Sequence, residues 1–149
     1  MSVTFRPARL EDVPAIVALL ADDPLGAARE SATLAPYEAA FARVAASEDM
    51  HLIVGEQQGR VVATYQLAIM PGLSNAGRTR ATLEAVRVVA DLRSQGVGAR
   101  LVADAEARAR AAGAGILQLT THKSRSRAHA FYDRLGFTPS HIGYKRDLT

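Results

Sequence analysis

The chain has 149 residues, of which 48% are hydrophobic and 22% charged, and it contains no cysteine. This composition predicts a single folded domain over residues 1–149 and excludes disulfides, thiolate metal sites and a cysteine nucleophile. Lys and Arg number 18 against 15 Asp and Glu, which favours a small anionic partner. The basic residues are scattered and only 5% of residues are aromatic, so a nucleic-acid-binding surface is disfavoured.

The longest apolar run, Val13 to Ala21, is too short to span a bilayer. It follows Glu11 and Asp12, where a signal peptide would carry basic residues. The sequence therefore predicts no membrane partner and a cytoplasmic location.

The first third of the chain predicts a strand and a helical arm. "VTFRPA" has strand character, and apolar residues at helical spacing follow Asp12. Residues 22–36 are typical of a loop, and "YEAAFARVAAS" predicts a second helix. Together they predict a helix, loop, helix arm.

The middle of the chain predicts a β-hairpin and a third strand. "MHLIVGEQ" and "GRVVATYQLAIM" are β-rich runs that meet at Gln58 and Gly59. "PGLSNAGRTR" predicts a flexible connection, and "ATLEAVRVV" predicts the next strand.

The last third alternates helices and strands. We predict a helix from Val97 to Ala112, a strand at "ILQLTT", a helix from Arg125 to Leu135, and strand pieces at "FTP" and "IGYKRDL". Alternation of this kind indicates an α/β fold with at least one parallel crossover.

A glycine pair lies where the helix at Val97 begins. The first N–H groups of a helix have no partner within it and lie at the positive end of its dipole, so Gly96 and Gly98 favour a phosphate site there. The pair could also serve only to make a tight turn. A P-loop is excluded because Ala99 and Arg100 follow Gly98, and the dinucleotide fingerprint needs glycine where Leu101 stands.

Two segments carry a resemblance to a known family. "VRVVADLRSQGVGARLV" resembles the acetyl-CoA signature of the GNAT N-acetyltransferase superfamily, with Arg93, Gly96 and Gly98 at its defining positions, and "RSRAHAFYDRLGF" resembles the family's second signature. The resemblance implies an α/β (α+β) fold with a mixed, splayed central β-sheet of about six to seven strands flanked by about four helices. It also implies acetyl-CoA as co-substrate, and no metal.

The resemblance further implies which residues contact coenzyme A. Pantetheine would pair with the strand backbone at Val86 and Val88. The diphosphate would lie against the residues of the glycine turn, which are Arg93, Ser94, Gln95, Gly96, Val97, Gly98, Ala99 and Arg100. Arg125 stands where many relatives carry Asn, and it contacts a cofactor phosphate, its sugar, or only solvent.

Acetyl transfer to an amine needs a base, because an amine such as lysine, with a pKa of about 10.4, is charged at neutral pH. Glu84 is the candidate, acting directly or through water. Strict alternation along the strand predicts that it shares a face with Thr82, Val86 and Val88, and apolar neighbours would raise its pKa. The alternative is a structural carboxylate paired with an arginine, either Arg78, Arg80 or Arg87.

Tyr132 is the candidate acid for the departing thiolate, and the family tyrosine aligns with it. The alternative is a core tyrosine, because it repeats at helical spacing with Ala128, Phe131 and Leu135. The backbone N–H of Val86 or Val88 is the candidate oxyanion donor. The four histidines show no metal-ligand spacing, and we keep only His122 as a second candidate base.

The sequence thus predicts an acetyl-CoA-dependent N-acetyltransferase that moves acetyl directly to a primary amine of a small molecule or peptide in a ternary complex. The acceptor would enter between the arm at residues 22–47 and the loop at 71–80. The alternatives are a non-catalytic acyl-CoA sensor and a basic nucleic-acid module. By analogy with the family we also predict a homodimer, paired through the segment after Gly136.

Overall fold

The computed structural model describes residues 2–31 and 33–149; Ala32, within the predicted arm, lies outside the described residues. Its strands are β1 (Thr4–Pro7), β2 (Met50–Gln57), β3 (Arg60–Met70), β4 (Arg80–Val88) and β5 (Ile116–Leu119). Its helices are α1 (Val13–Ala21), α2 (Pro24–Arg29), α3 (Ala35–Ala45), α4 (Ser74–Gly77), α5 (Val97–Ala111) and α6 (Ser126–Arg134). Two 3-10 turns, Leu10–Asp12 and Ala90–Leu92, precede α1 and follow β4.

The strands form one sheet in the order β1-β2-β3-β4-β5. The first four run antiparallel, and the hairpin predicted at Gln58 and Gly59 is confirmed by a turn with φ of 51° and 76°. The N–H of Gly115 donates to the C=O of Thr79 at 2.9 Å, which places the beginnings of β5 and β4 side by side. The two strands are therefore parallel, and α5 is the predicted crossover helix.

Two sets of helices cover the two faces of the sheet. Tyr65 and Leu67 are fully buried on one face, and the Tyr65 hydroxyl donates to Asp104 of α5 at 2.5 Å. Burial and this bond to a carboxylate raise the pKa of Tyr65. The other face lies under α1 and α2, since Arg87 of β4 pairs with Asp23 between these helices.

A β-bulge in β4 sets which side chains reach each face. Thr64 lies opposite Arg87 and Gln66 lies opposite Glu84, so Tyr65 alone faces the two residues Ala85 and Val86. Ala85 has a φ of 53°, in the left-handed region that non-glycine residues rarely adopt. The bulge interrupts the alternation of side chains along the strand.

The prediction that residues 22–36 form only a loop is wrong, because α2 begins at Pro24. The Asp23 carboxylate accepts a hydrogen bond from the N–H of Gly26 at 2.5 Å, and Pro24 occupies the first helical position. Both are ordinary signals of a helix start.

The C-terminal strands predicted at "FTP" and "IGYKRDL" are also wrong. Residues 138–149 have no regular secondary structure, so the sheet has five strands rather than six to seven. Isolated strands are unstable because their backbone groups lack a neighbouring ladder, and no ladder bond to this segment is present in the described chain. The backbone packs into two compact units, one ending at Gln118 and the other comprising Leu119–Thr149.

Candidate active site

The turn that begins α5 presents a row of backbone donors. Ser94 and Gly96 have φ of 63° and 84°, and left-handed residues in such a turn are typical of backbone nests that bind anions through their N–H groups. Within the described chain, the N–H groups from Ser94 to Ala99 find no acceptor, and the first helical bond is from Arg100 to the C=O of Gly96 at 3.2 Å. These donors and the helix dipole suit a diphosphate.

The two arginines that flank this turn make protein contacts. Arg100 donates through Nη2 to the C=O of Val3 at 2.9 Å. Arg93 donates through Nε to the C=O of Val88 at 3.2 Å and through Nη2 to Asp22 at 3.3 Å. The anion-binding capacity of the turn therefore resides mainly in its backbone.

The end of β4 leaves backbone groups available away from β3. The N–H of Val89 donates to the C=O of Val62 at 2.8 Å, so the alternating ladder directs the N–H and C=O of Val88 away from β3. The bond from Arg93 to the Val88 C=O agrees with this direction. Val88 can thus donate a backbone hydrogen bond to a ligand that lies along β4.

Glu84 lies on the face of the sheet that α1 and α2 cover. It shares that face with Thr82, Gln66 and, across the bulge, Arg87, whereas Val88 lies opposite Ala63 on the other face. The expected shared face of Glu84 with Val86 and Val88 is therefore wrong, because the bulge shifts the alternation by one residue. Glu84 is exposed, and among described residues it forms no ion pair.

Arg78 and Arg87, two of the arginines that could have paired with Glu84, are held elsewhere. Arg78 donates to the C=O of Gly115, and Arg87 pairs with Asp23. Gln118 of β5 donates to the hydroxyl of Thr82 at 3.1 Å, adding polar groups to the Glu84 face. Gln118 and the two aspartates before α2 were not among the predicted site residues. The Asp23-Pro24 pair is a sequence signal for a helix start and could have pointed to the aspartates.

Tyr132 lies in α6, within the unit Leu119–Thr149. Its side chain is half-buried, and its ring makes edge contacts with Phe131 and Phe137 at centroid distances of 5.0 and 5.6 Å. Arg125 is the N-cap residue of the same helix and is half-buried. His122 is exposed, and its Nδ1 lies 2.8 Å from the hydroxyl of Ser124.

The described residues contain no cluster of His, Cys, Asp and Glu that could hold a metal ion. Nor does any helix among them combine the length and apolar character needed to cross a membrane.

The fold is that of an α/β protein with a row of unbonded N–H groups at the start of its crossover helix. The family model described as "Acetyltransferase (GNAT) family" matches residues 14–137, and the chain belongs to this family. The predicted family and fold class are thereby confirmed. The protein is an acetyltransferase, and the family uses acetyl-CoA as co-substrate.

Individual relatives agree with this membership. An aminoalkylphosphonate N-acetyltransferase of Salmonella typhimurium is 29% identical over 143 residues, which are 96% of this chain and 90% of that protein. A solved structure described as a transcriptional regulator from Bacillus halodurans C-125 has a TM-score of 0.95 and 38% identity, covering 99% of this chain and 100% of the other. An acetyltransferase of Trypanosoma brucei has a TM-score of 0.81 and 25% identity, with coverage of 99% and 100%.

Proposed function

We propose that the protein transfers acetyl from acetyl-CoA directly to a primary amine of a small molecule or peptide in a ternary complex. The observation that carries the proposal is the row of unbonded N–H donors from Ser94 to Ala99 at the start of α5. A diphosphate placed there would accept several hydrogen bonds at once and would face the positive end of the helix dipole. The N–H of Val88, directed away from β3, is a donor for pantetheine or for the acetyl oxygen.

Two side chains of this chain would move protons. Glu84 would accept a proton from the acceptor ammonium, directly or through water, and the freed amine would form a C–N bond with the acetyl carbon as the C–S bond breaks. Tyr132 would give its hydroxyl proton to the departing thiolate, whose basicity is comparable to that of a phenol. The absence of an ion pair at Glu84 among described residues supports its role, because a carboxylate engaged by arginine would be a weaker base.

The acceptor would lie on the Glu84 face of β4, beneath α1 and α2. Thr82, Gln66 and Gln118 give this face hydrogen-bonding groups. The Salmonella typhimurium relative is named for aminoalkylphosphonates, so 2-aminoethylphosphonate belongs among the amines tested. A cytoplasmic location and a homodimer stay predictions.

The test is thiol release from acetyl-CoA with a panel of amines, among them 2-aminoethylphosphonate, polyamines, amino acids and short peptides. We expect one class of amine to stimulate release, and the Glu84→Gln variant to lower kcat by about 10² to 10⁴-fold with the cofactor affinity retained. Tyr132→Phe should lower kcat in the same direction.

Matched variants control for the loss of a charge or a hydroxyl. Glu106→Gln removes a carboxylate on α5 that pairs with Arg110, and Tyr144→Phe removes an exposed phenol; both should keep wild-type rates. Wild-type activity in Glu84→Gln and Tyr132→Phe would refute the two roles. Binding of coenzyme A without transfer to any amine would instead indicate the acyl-CoA sensor.

A further inference from the structure

Two consecutive aspartates at the corner between α1 and α2 are held by two arginines from the β4 region. Asp22 Oδ2 lies 3.3 Å from Nη2 of Arg93, and Asp23 Oδ2 lies 3.4 Å from Nε of Arg87. Arg87 belongs to β4 and Arg93 to the turn before α5. The corner of the arm is thus tied both to the strand that carries Glu84 and to the segment that leads into the cofactor turn.

The β-bulge places the pair of Arg87 with Asp23 next to the candidate base. Because Ala85 and Val86 together face Tyr65, Arg87 follows Glu84 on the same face of the sheet. The Arg87 and Asp23 side chains are only 14% and 16% exposed, so their attraction is weakly screened by solvent. This ion pair holds the corner of the arm beside the Glu84 face.

Asp23 also fixes the helix that follows it. Its carboxylate caps α2 at the N–H of Gly26, and Gly26 lies against the end of α1, where an added Cβ would be 1.9 Å from the carbonyl oxygen of Leu20. A displacement of Asp23 would therefore move the start of α2 as well. One carboxylate thus joins β4 to the start of α2.

The pair of Arg93 with Asp22 occupies guanidinium N–H groups that Arg93 would need to bind the diphosphate of coenzyme A. Nε donates to the C=O of Val88, and Nη2 donates to both the backbone C=O and the carboxylate of Asp22. A bidentate phosphate contact would need the Nη2 edge of the same guanidinium. Arg93 is therefore built into the corner of the arm.

We infer that Arg87 and Arg93 are positioning residues that clamp the corner at Asp22 and Asp23, and thereby hold the start of α2 beside the proposed acceptor face of Glu84. This inference rests on the proposed function in taking the adjacent turn as the cofactor site and the Glu84 face of β4 as the acceptor site. Arg93 then serves the acceptor side of the reaction, while the backbone amides from Ser94 to Ala99 serve the diphosphate.

The test compares Arg93→Gln, Asp22→Asn and Asp22→Glu in three measurements: coenzyme A affinity by calorimetry, amide hydrogen exchange of residues 20–30, and KM and kcat with 2-aminoethylphosphonate. In Arg93→Gln and Asp22→Asn we expect exchange of the corner to rise about two- to fivefold, as for loss of a partly exposed ion pair. The amine KM should rise with it, while kcat and coenzyme A affinity stay within about twofold. Asp22→Glu should restore wild-type behaviour.

The pair formed by Arg60 and Asp91 supplies the matched control. It lies near the same turn and is similarly exposed, so Arg60→Gln and Asp91→Asn remove a comparable ion pair that does not involve Asp22 or Asp23. Weakening of coenzyme A binding by fivefold or more in Arg93→Gln, with unchanged exchange at the corner, would overturn the inference. If the wild-type protein binds no coenzyme A, the proposed function fails, and the clamp is still judged by hydrogen exchange and by the Asp22→Glu rescue.

Discussion

The two ends of α1 both carry aspartates paired with arginines, but in different surroundings. At the N-terminal end, Asp12 is 6% exposed and accepts two hydrogen bonds from Arg6, at 2.8 and 3.1 Å, and one from the N–H of Arg9 at 2.7 Å. At the C-terminal end, the pair of Asp22 with Arg93 is about half-exposed. Similar pairs are thus shielded from water at one end of the helix, whereas the pair of Asp22 with Arg93 at the other end is open to water.

Burial explains the difference. An ion pair shielded from water is costly to break because each partner would be left unsolvated, whereas an exposed pair exchanges its partner for water at small cost. The N-terminal pair of Arg6 with Asp12 anchors α1 to the sheet. Arg6 also donates a hydrogen bond to Glu56 of β2 at 2.9 Å. The pair of Asp22 with Arg93 should therefore cost less to break than the pair of Asp12 with Arg6.

The largest effect is expected at the buried end. Asp12→Asn would leave the Arg6 guanidinium with Glu56 alone and should lower the free energy of unfolding by about 3 kcal/mol, measured by urea denaturation. Glu11→Gln, next to it and 72% exposed at its side chain, should change this free energy little. Equal losses in the two variants would contradict the contrast between the ends of α1.

The second expected effect, at the same end of α1, is a dependence of the free energy of unfolding on pH. The hydrogen bonds from Arg6 hold the pKa of the Asp12 carboxyl below its usual value of about 3.9. The unfolded chain therefore takes up this proton at a higher pH than the folded chain does, so the stabilisation is present above that value and is lost as the pH falls through the folded-state pKa. Urea unfolding at successive acidic pH values should show a steeper loss in the wild type than in Asp12→Asn.

At the other end of α1, Gly26 tests whether the corner is packed as tightly as its hydrogen bonds suggest. A Cβ at this position would lie 1.9 Å from the Leu20 carbonyl oxygen, so Gly26→Ala must displace α2. We expect a loss of about 2 kcal/mol in the free energy of unfolding. Hydrogen exchange should rise at residues 24–30 and not at β2; an unchanged α2 would show that the corner is loose already.

Part of the fold and of the candidate site could be predicted from the sequence, and part could not. The glycine turn and the helix after it follow from local rules, and α5 ends within one residue of its predicted end. The start of α2 was signalled by Asp23 and Pro24 but hidden by the polar composition around them. The pairing of Asp12 with Arg6 and Glu56 depends on sheet register, which no local pattern specifies.

The bulge at Ala85 is the feature that sequence reasoning could least supply. The run "ATLEAVRVV" contains no glycine, and nothing in it marks a residue with positive φ. Period-two alternation therefore assigned Val86 and Val88 to the face of Glu84 and left Arg87 on the other face. The tertiary pairing with β3 overrides the local pattern, and it also brings Arg87 to Asp23.

The smallest effect is expected where only backbone conformation is altered. Gly96 has a φ of 84° and no atom within 4 Å of the point where a Cβ would lie, so Gly96→Ala should cost about 1 kcal/mol of unfolding free energy through strain alone. Gly59, with a φ of 76° in the β2–β3 hairpin and equally open surroundings, is its matched control. Both variants should lose similar stability in urea, but only Gly96→Ala should weaken coenzyme A binding, because it alone reorients the donors before α5. A Gly96→Ala protein that binds coenzyme A as tightly as Gly59→Ala does would contradict the assignment of the diphosphate to the backbone amides of this turn.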